Sequence, residues 1–169
     1  MLIIFAGLPG VGKTSLAREF ARRRGATHLR IDTIEQVLTD SGADAIVRAD
    51  PGLGYMIAYA LAVDNLRLGL TVIGDSVNSL PITRDAWRAV AERAGTIAVE
   101  VEVICSDAAQ HRRRVETRII DLAGLTPPTW AEVEAREYHP WLGNRIVIDT
   151  AGRSIAACVD EMEAAVNAA

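Results

Sequence analysis

Lysine is almost missing from this chain of 169 residues: of its 18 basic side chains, only Lys13 is not an arginine. Cysteine is nearly as scarce. Cys105 and Cys158 are the only two and form no C-x-x-C pair, and His28, His111 and His139 are widely scattered, so neither a disulfide framework nor a structural metal site is expected. Positive charge is in deficit overall. The net charge of −4 argues against a nucleic-acid polymer as partner and leaves small anionic ligands, held locally, as the expectation. No apolar run approaches the length of a membrane span, and "MLIIFAGLPG" lacks both the basic leader and the long apolar core of a signal peptide. The expectation is a cytoplasmic protein without membrane contact, either a monomer or a homodimer.

A chain that is 50% hydrophobic and 24% charged has the balance of a globule with one sizeable core, so a single domain over residues 1–169 is expected. Its apolar segments alternate in kind. Leu2 to Ala6 reads as a strand buried on both faces. A glycine-rich turn follows, then the helix "TSLAREFARRRG", stopped at Gly25. The strand "THLRI" ends at Asp32 and runs into an amphipathic "TIEQVL". A long apolar helix lies between Pro51 and Gly69, followed by the strand "LTVIG" and a helix over "LPITRDAWRAVAERAG", stopped at Gly95. The run "TIAVEVEVIC" alternates valine with glutamate, and Ser106 is placed to cap the helix "DAAQHRRRVETRIIDL". At residues 123 to 144 the alternation breaks, with Thr129 and Glu132 in capping-box spacing. It resumes with "RIVIDT" and a helix from about Ser154. This order predicts one α/β domain, a parallel sheet with right-handed crossovers and helices on both faces. A lid insertion is expected over the sheet's carboxyl edge, in a lid region of about 107–144.

Gly7, the four residues Leu8, Pro9, Gly10 and Val11, then Gly12, Lys13 and Thr14 match G-x-x-x-x-G-K-[ST] in full, with Ser15 next. Glycines let backbone N–H groups converge on phosphate oxygens, and the following helix adds its dipole. The lysine reaches the β and γ phosphates of ATP, and the threonine ligates Mg²⁺. The solitary lysine sharpens the match. A chain so biased toward arginine would fill a generic basic position with arginine, whose planar fork substitutes poorly for a compact ammonium in a tight loop.

Three kinds of phosphate-loop protein compete. "DTAG" at Asp149 to Gly152 copies a GTPase element, but it stands behind the last strand, and the guanine-reading N-K-x-D cannot exist without a second lysine. An ATP-driven motor needs an apolar strand ending in Asp-Glu, where this chain has "VIGDS". A kinase accounts for more residues. On "GLPGVGKTS", "RID", "DSVN" and "HRRRVETR", the whole chain resembles the small P-loop kinase group, which holds the polynucleotide kinase domain, gluconate and shikimate kinases, chloramphenicol phosphotransferase and zeta-toxin-like kinases. It resembles most closely the bacterial "AAA domain" kinase-like proteins.

That resemblance implies a P-loop NTPase fold, a five-stranded parallel sheet of order 2-3-1-4-5 and a mobile arginine-bearing lid. It also implies an ATP- and Mg²⁺-dependent phosphotransferase acting on a hydroxyl of a small molecule, with a nucleoside, antibiotic or sugar-like metabolite as acceptor. A nucleotide-binding regulatory protein with weak ATPase activity, or a polynucleotide 5′-hydroxyl kinase, is the alternative. Asp32 stands where two members of the group carry the carboxylate that accepts the acceptor hydroxyl's proton, and it is equally placed to cap "TIEQVL". Asp75, ending a strand, occupies the Walker B place for Mg²⁺ or caps a loop. Ser76 and Asn78 are candidates for the acceptor pocket, and Arg84 is either an acceptor ligand or a surface arginine. Arg114 and Arg118, four apart on one predicted helix face, match lid arginines that neutralise the transferring phosphoryl, although an arginine run also suits a solvated face. By resemblance alone, Thr150, Ala151 and Gly152 line the adenine. Tyr55, Tyr59, Trp130, Tyr138 and Trp141 either stack on a planar acceptor or pack in the core.

Overall fold

The computed structural model describes residues 1–43, 50, 52–119 and 121–169. Five strands, β1 (Leu2–Ala6), β2 (Thr27–Arg30), β3 (Val72–Asp75), β4 (Ala98–Ile104) and β5 (Ile146–Asp149), form one sheet in the order β2-β3-β1-β4-β5. Every pairing in it is parallel, as the alternating sequence and the resemblance implied. Among the described residues the helices are α1 (Lys13–Arg24), α2 (Ile31–Asp40), α3 (Leu53–Arg67), α4 (Pro81–Ala94), α5 (Ala108–Thr117), α6 (Trp130–Glu134) and α7 (Ile155–Ala168). Pro51, the expected start of the third helix, and Ile120, inside the expected fifth, lie outside the described residues. No described helix is long and apolar enough to cross a membrane.

β1 is the central strand, and all five of its residues are buried. Its period of two sorts them between layers. Ile3 and Phe5 point to the face covered by α1 and α7, where Leu16, Phe20, Val159 and Met162 pack. Leu2 and Ile4 point to the face of α3 and α4, among Ala58, Ala62, Trp87 and Val90. Both sheet faces are therefore closed, and the carboxyl ends of β1, β2 and β3 open toward a common edge.

β4 explains why "VEVEV" is not a half-exposed strand. Val99, Val101 and Val103 enter the core with β1. Glu100 and Glu102 face the other way, yet Glu102 is buried and both are neutralised by arginines: Arg88 pairs with Glu100 and Arg145 with Glu102. Tyr138 also donates to Glu102 at 3.0 Å. The glutamate face is thus the floor on which the segment around residues 138–145 rests.

Three boundaries move relative to expectation. β2 stops at Arg30 and α2 begins at Ile31, so Asp32 is the second residue of a helix rather than its cap. Asp107, not Ser106, caps α5 by accepting from the Gln110 N–H. That helix ends at Thr117, because Arg118 turns to an extended conformation with ψ 139°. Cap-forming residues stand side by side here, and only the local backbone path selects among them. The helix stops at Gly25 and Gly95 are where the sequence put them.

Gly74 is needed for lack of bulk. A Cβ on it would lie 2.7 Å from Cζ2 of Trp87, a fully buried ring that also meets Tyr59 edge-on at 4.7 Å. Gly74→Ala should therefore destabilise the fold by about 1–3 kcal/mol through overpacking. A urea unfolding curve followed by tryptophan fluorescence measures this, and an unshifted midpoint would show that α4 yields freely.

Candidate active site

The turn after β1 is built by glycine. Gly7 has φ 139°, and a Cβ there would lie 2.2 Å from the Val103 carbonyl oxygen, so no other residue fits. Gly10 and Gly12 also take positive φ, 87° and 105°, which turns the loop into the start of α1. α1 opens with no side-chain cap and no acidic residue in its first turn. The N–H groups of that turn and the positive end of the helix dipole are left for an external anion.

Pro9, Gly10, Gly12, Lys13, Thr14 and Ser15 line a cavity of about 620 Å³ at the sheet's carboxyl edge. Gly7, Leu8 and Val11 stand behind this wall. Seven cations line the cavity, Lys13, Arg18, Arg30, Arg114, Arg118, Arg136 and Arg153, against the three carboxylates Asp32, Asp75 and Asp121. Within an acidic chain, the cavity wall is locally cationic.

Lys13 is 8% exposed and donates from Nζ to the Leu8 carbonyl at 3.0 Å. Burial lowers its pKa from 10.5 to about 8, with Asp75 and Asp32 opposing that shift and Arg118 and Arg136 adding to it. The five groups thus share one electrostatic neighbourhood. Asp75 is 2% exposed, and its carboxylate lies 3.0 Å from Nε2 of His28 on the neighbouring strand. Asp32 stands at the start of α2 with Arg30 alongside, Nη2 at 3.3 Å. Among the described residues no group of three or more His, Cys, Asp or Glu side chains forms a metal cage. The Thr14 hydroxyl and the Asp75 carboxylate, both lining the cavity, fit a Mg²⁺ whose coordination is completed by phosphate oxygens and water.

Arg114 reaches across from α5 to Thr150, contacting its Oγ1 at 2.7 Å and its carbonyl at 3.0 Å. Thr150 Oγ1 in turn donates to the Val11 carbonyl at 2.8 Å. His111 lies 2.8 Å from the Pro9 carbonyl and meets Trp130 edge-on at 5.0 Å. α5 is therefore tied directly to the phosphate loop. Arg118 does not share a helix face with Arg114, since α5 has already ended, yet it lines the same cavity. Its buried Nε has no hydrogen-bond partner among the described residues, and burial lowers its pKa, opposed by Asp32. Gly152 sits outside the cavity, its N–H donating to Gln110 at 2.9 Å.

The expected acceptor set divides. Ser76 lines the cavity beside Asp32 and Asp75, and its buried hydroxyl has no hydrogen-bond partner among the described residues. Asn78 does not line it: fully buried with φ 45°, it donates to the Phe5 carbonyl at 2.6 Å and braces the end of β1. Arg84 is neither an acceptor ligand nor a surface arginine. It is 2% exposed and donates to the carbonyls of Asn78, Ser79, His139 and Pro140, with Trp141 stacked 4.1 Å from its guanidinium. Its donors are engaged, so it clamps the segment at 138–141 rather than binding a ligand. The aromatic residues Tyr55, Tyr59, Trp130, Tyr138 and Trp141 also lie outside the cavity lining and pack against protein.

Sequence reasoning missed Arg18, Arg30, Arg136, Arg153, Asp121 and His28. Only Arg30 carried a signal, two positions before Asp32 in "RID". The others reach the cavity from unrelated segments.

A protein-family model described as AAA domain matches residues 2–121. No protein of curated function matches the chain by sequence. Among solved structures, the chain is similar to a candidate kinase from Chloroflexus aurantiacus J-10-fl, with 22% identity and a TM-score of 0.76 over 99% of this chain and 96% of that one. It is similar to the APS kinase CysC of Mycobacterium tuberculosis in complex with AMPPNP and APS, with 21% identity and a TM-score of 0.71 over 98% and 96%. It is also similar to a gluconokinase from Sinorhizobium meliloti 1021, with 19% identity and a TM-score of 0.66 over 98% and 90%. At these identities the likeness shows a shared fold.

Because Lys13 is the only lysine, ¹⁵N-lysine labelling yields a single side-chain resonance, and its pH titration reads this site alone. In the free folded protein the midpoint should fall at about 8 instead of 10.5. Lys13's contribution to stability should then rise between those values, since only the unfolded chain keeps the proton there. A midpoint near 10.5 would mean that the ammonium is hydrated and not part of the loop.

Proposed function

The chain belongs to the AAA-domain family, and we propose that it is an ATP- and Mg²⁺-dependent phosphotransferase that moves the γ-phosphoryl group to a hydroxyl of a small molecule. The observation that carries this reading is the convergence of Lys13, Asp32, Asp75 and Arg118 in one cation-rich cavity whose wall is the phosphate loop. A carboxylate at Asp32, in the same cavity as the phosphate loop, is the group a phosphoryl transfer to a hydroxyl calls for as proton acceptor. The fold is shared with a gluconokinase and with an APS kinase complexed with AMPPNP and APS, which favours a small acceptor over a polymer.

In this reading the loop amides and the Lys13 ammonium hold the β and γ phosphates, and Arg118 supplies positive charge where negative charge accumulates on the transferring group. Thr14 and Asp75 would hold Mg²⁺, which would supply positive charge to the phosphates, and His28 orients Asp75. The acceptor oxygen forms its bond to phosphorus as the bond to the ADP oxygen breaks, and its proton passes to the Asp32 carboxylate. Arg114 and Thr150 border the base end of the nucleotide. Residues 107–144 act as the lid, with Arg114, Arg118 and Arg136 on its inner side, excluding water that would otherwise take the phosphoryl group.

A panel of hydroxyl compounds assayed for ATP turnover tests the reading. One acceptor should stimulate turnover many-fold, and ATP binding with no acceptor-dependent turnover across the panel would favour a regulatory nucleotide-binding protein. With an active acceptor in hand, Lys13→Ala should abolish transfer. Asp32→Asn should keep ATP affinity while kcat falls by about 100-fold or more, and an unchanged kcat would remove Asp32 from the chemistry.

A further inference from the structure

At the β2 edge of the cavity, Arg30 stands between two carboxylates. Its side chain is only 9% exposed. On one side Nε and Nη2 approach Asp32 at 3.4 and 3.3 Å. On the other, Nη1 contacts both oxygens of Asp121 at 2.9 and 3.1 Å. Arg18 reaches the same Asp121 from α1. The two guanidinia hold the Asp121 carboxyl down at about 2. The arginines sit on a helix and a strand of the rigid core, whereas Asp121 comes from the connection between α5 and α6.

We propose that Arg18 and Arg30 form an oxyanion subsite for the acceptor, filled in this structure by Asp121 as an internal stand-in, and that the acceptor carries a carboxylate or phosphate a few bonds from its reacting hydroxyl. This rests on the phosphotransferase reading above.

The spacing follows from Arg30. A guanidinium is a planar fork able to engage oxyanions along two edges at once. One edge already orients Asp32, the proposed proton acceptor. An anion that replaces Asp121 on the other edge places its own nearby hydroxyl next to Asp32, with the guanidinium as the ruler between them. Charge explains the stand-in. Without a counter-anion, the facing Arg18 and Arg30, with Arg118 and Arg136 on the same cavity, would leave partly desolvated cations unpaired. A neutral acceptor offers nothing in exchange for Asp121, whereas an anionic one replaces it like for like and frees the connection to move.

An internal ligand weakens an external one by the reciprocal of the fraction of time it leaves the subsite free. The test uses full-length protein saturated with Mg²⁺ and ADP at fixed ionic strength, titrated calorimetrically with D-glycerate, glycerol 3-phosphate and glycerol. If Asp121 fills the subsite about nine-tenths of the time, Asp121→Asn should bind at least one of the two anions about tenfold more tightly than the unmodified chain. Glycerol should be unaffected, and the gain should vanish in the double variant Arg30→Gln, Asp121→Asn. Whichever anion gains more identifies the group. The proposal is overturned if neither anion gains, if glycerol gains as much, or if Arg30→Gln leaves the gain intact. ADP affinity in each variant reports that the fold is retained. Because the readout is binding, an anion gain without any phosphoryl transfer counts against the phosphotransferase reading alone. Efficient transfer to a neutral acceptor counts against the subsite alone.

Discussion

Holding an ammonium inside a loop of backbone amides is the constraint from which the rest of this site follows. The lowering of Lys13 from 10.5 to about 8 corresponds to about 3 kcal/mol that disfavours the charged form relative to water. That figure is what remains after the fields of Asp75 and Asp32 have offset part of a larger cost of burial, and the Leu8 carbonyl accepts one ammonium proton. These three partners set requirements of their own. The Leu8 carbonyl can turn back on Nζ only because the flanking glycines take positive φ. Asp75 can sit at 2% exposure only because His28 on the adjacent strand meets its carboxylate. Both positions require the strand ends to be held rigidly, which a fully buried β1 provides. A site arranged this way suits a polyanion, a ligand that satisfies the ammonium, the open helix N-terminus and the surrounding guanidinia together.

The arginines illustrate how a guanidinium is placed when its charge is not meant for a ligand. Arg84 is as buried as any core residue, yet its donors meet four backbone carbonyls and its face meets Trp141. Arg145 and Arg88 neutralise the two glutamates of β4 in the same spirit. Among the cavity arginines, Arg153 is likewise held by the carbonyls of Asp149 and Ala157, whereas three others are met differently. Arg118 has a buried Nε with no partner among the described residues, and Arg30 and Arg18 are met by a carboxylate from a loop. Full engagement by backbone marks a structural arginine, and partial engagement at a cavity wall marks one available to a ligand.

Much of the fold was legible because its signals are local. β1 is five apolar residues followed by glycine, the helix stops at Gly25 and Gly95 need only the residue itself, and alternation of strand and helix dictates a parallel sheet. The phosphate loop was legible for the same reason. The misplacements were also local, but at the scale of single boundaries: Asp107 took the cap expected of Ser106, and α5 stopped before Arg118. Arg118 lines the cavity all the same, by way of an extended turn instead of an i,i+4 helix face. What the sequence could not carry was pairing across distance. Asp121 meets arginines 103 and 91 positions away, and His28 meets an aspartate 47 positions away. Arg84, by sequence either an acceptor ligand or a surface arginine, is instead held by the carbonyls of residues 139 and 140.

The single lysine and the many arginines then become one statement about geometry. An arginine is stable in this protein where several acceptors surround it in a plane, as at Arg84, or where it lies between two carboxylates, as at Arg30. Inside the loop only one carbonyl is within reach of the cation, and the remaining space must admit phosphate oxygens. A guanidinium there would leave several donors desolvated without acceptors and would fill the volume that the ligand needs. An ammonium keeps one proton on Leu8 and turns two toward the cavity. The exception at Lys13 thus follows from the same geometry that suits arginine to the sites of Arg84 and Arg30.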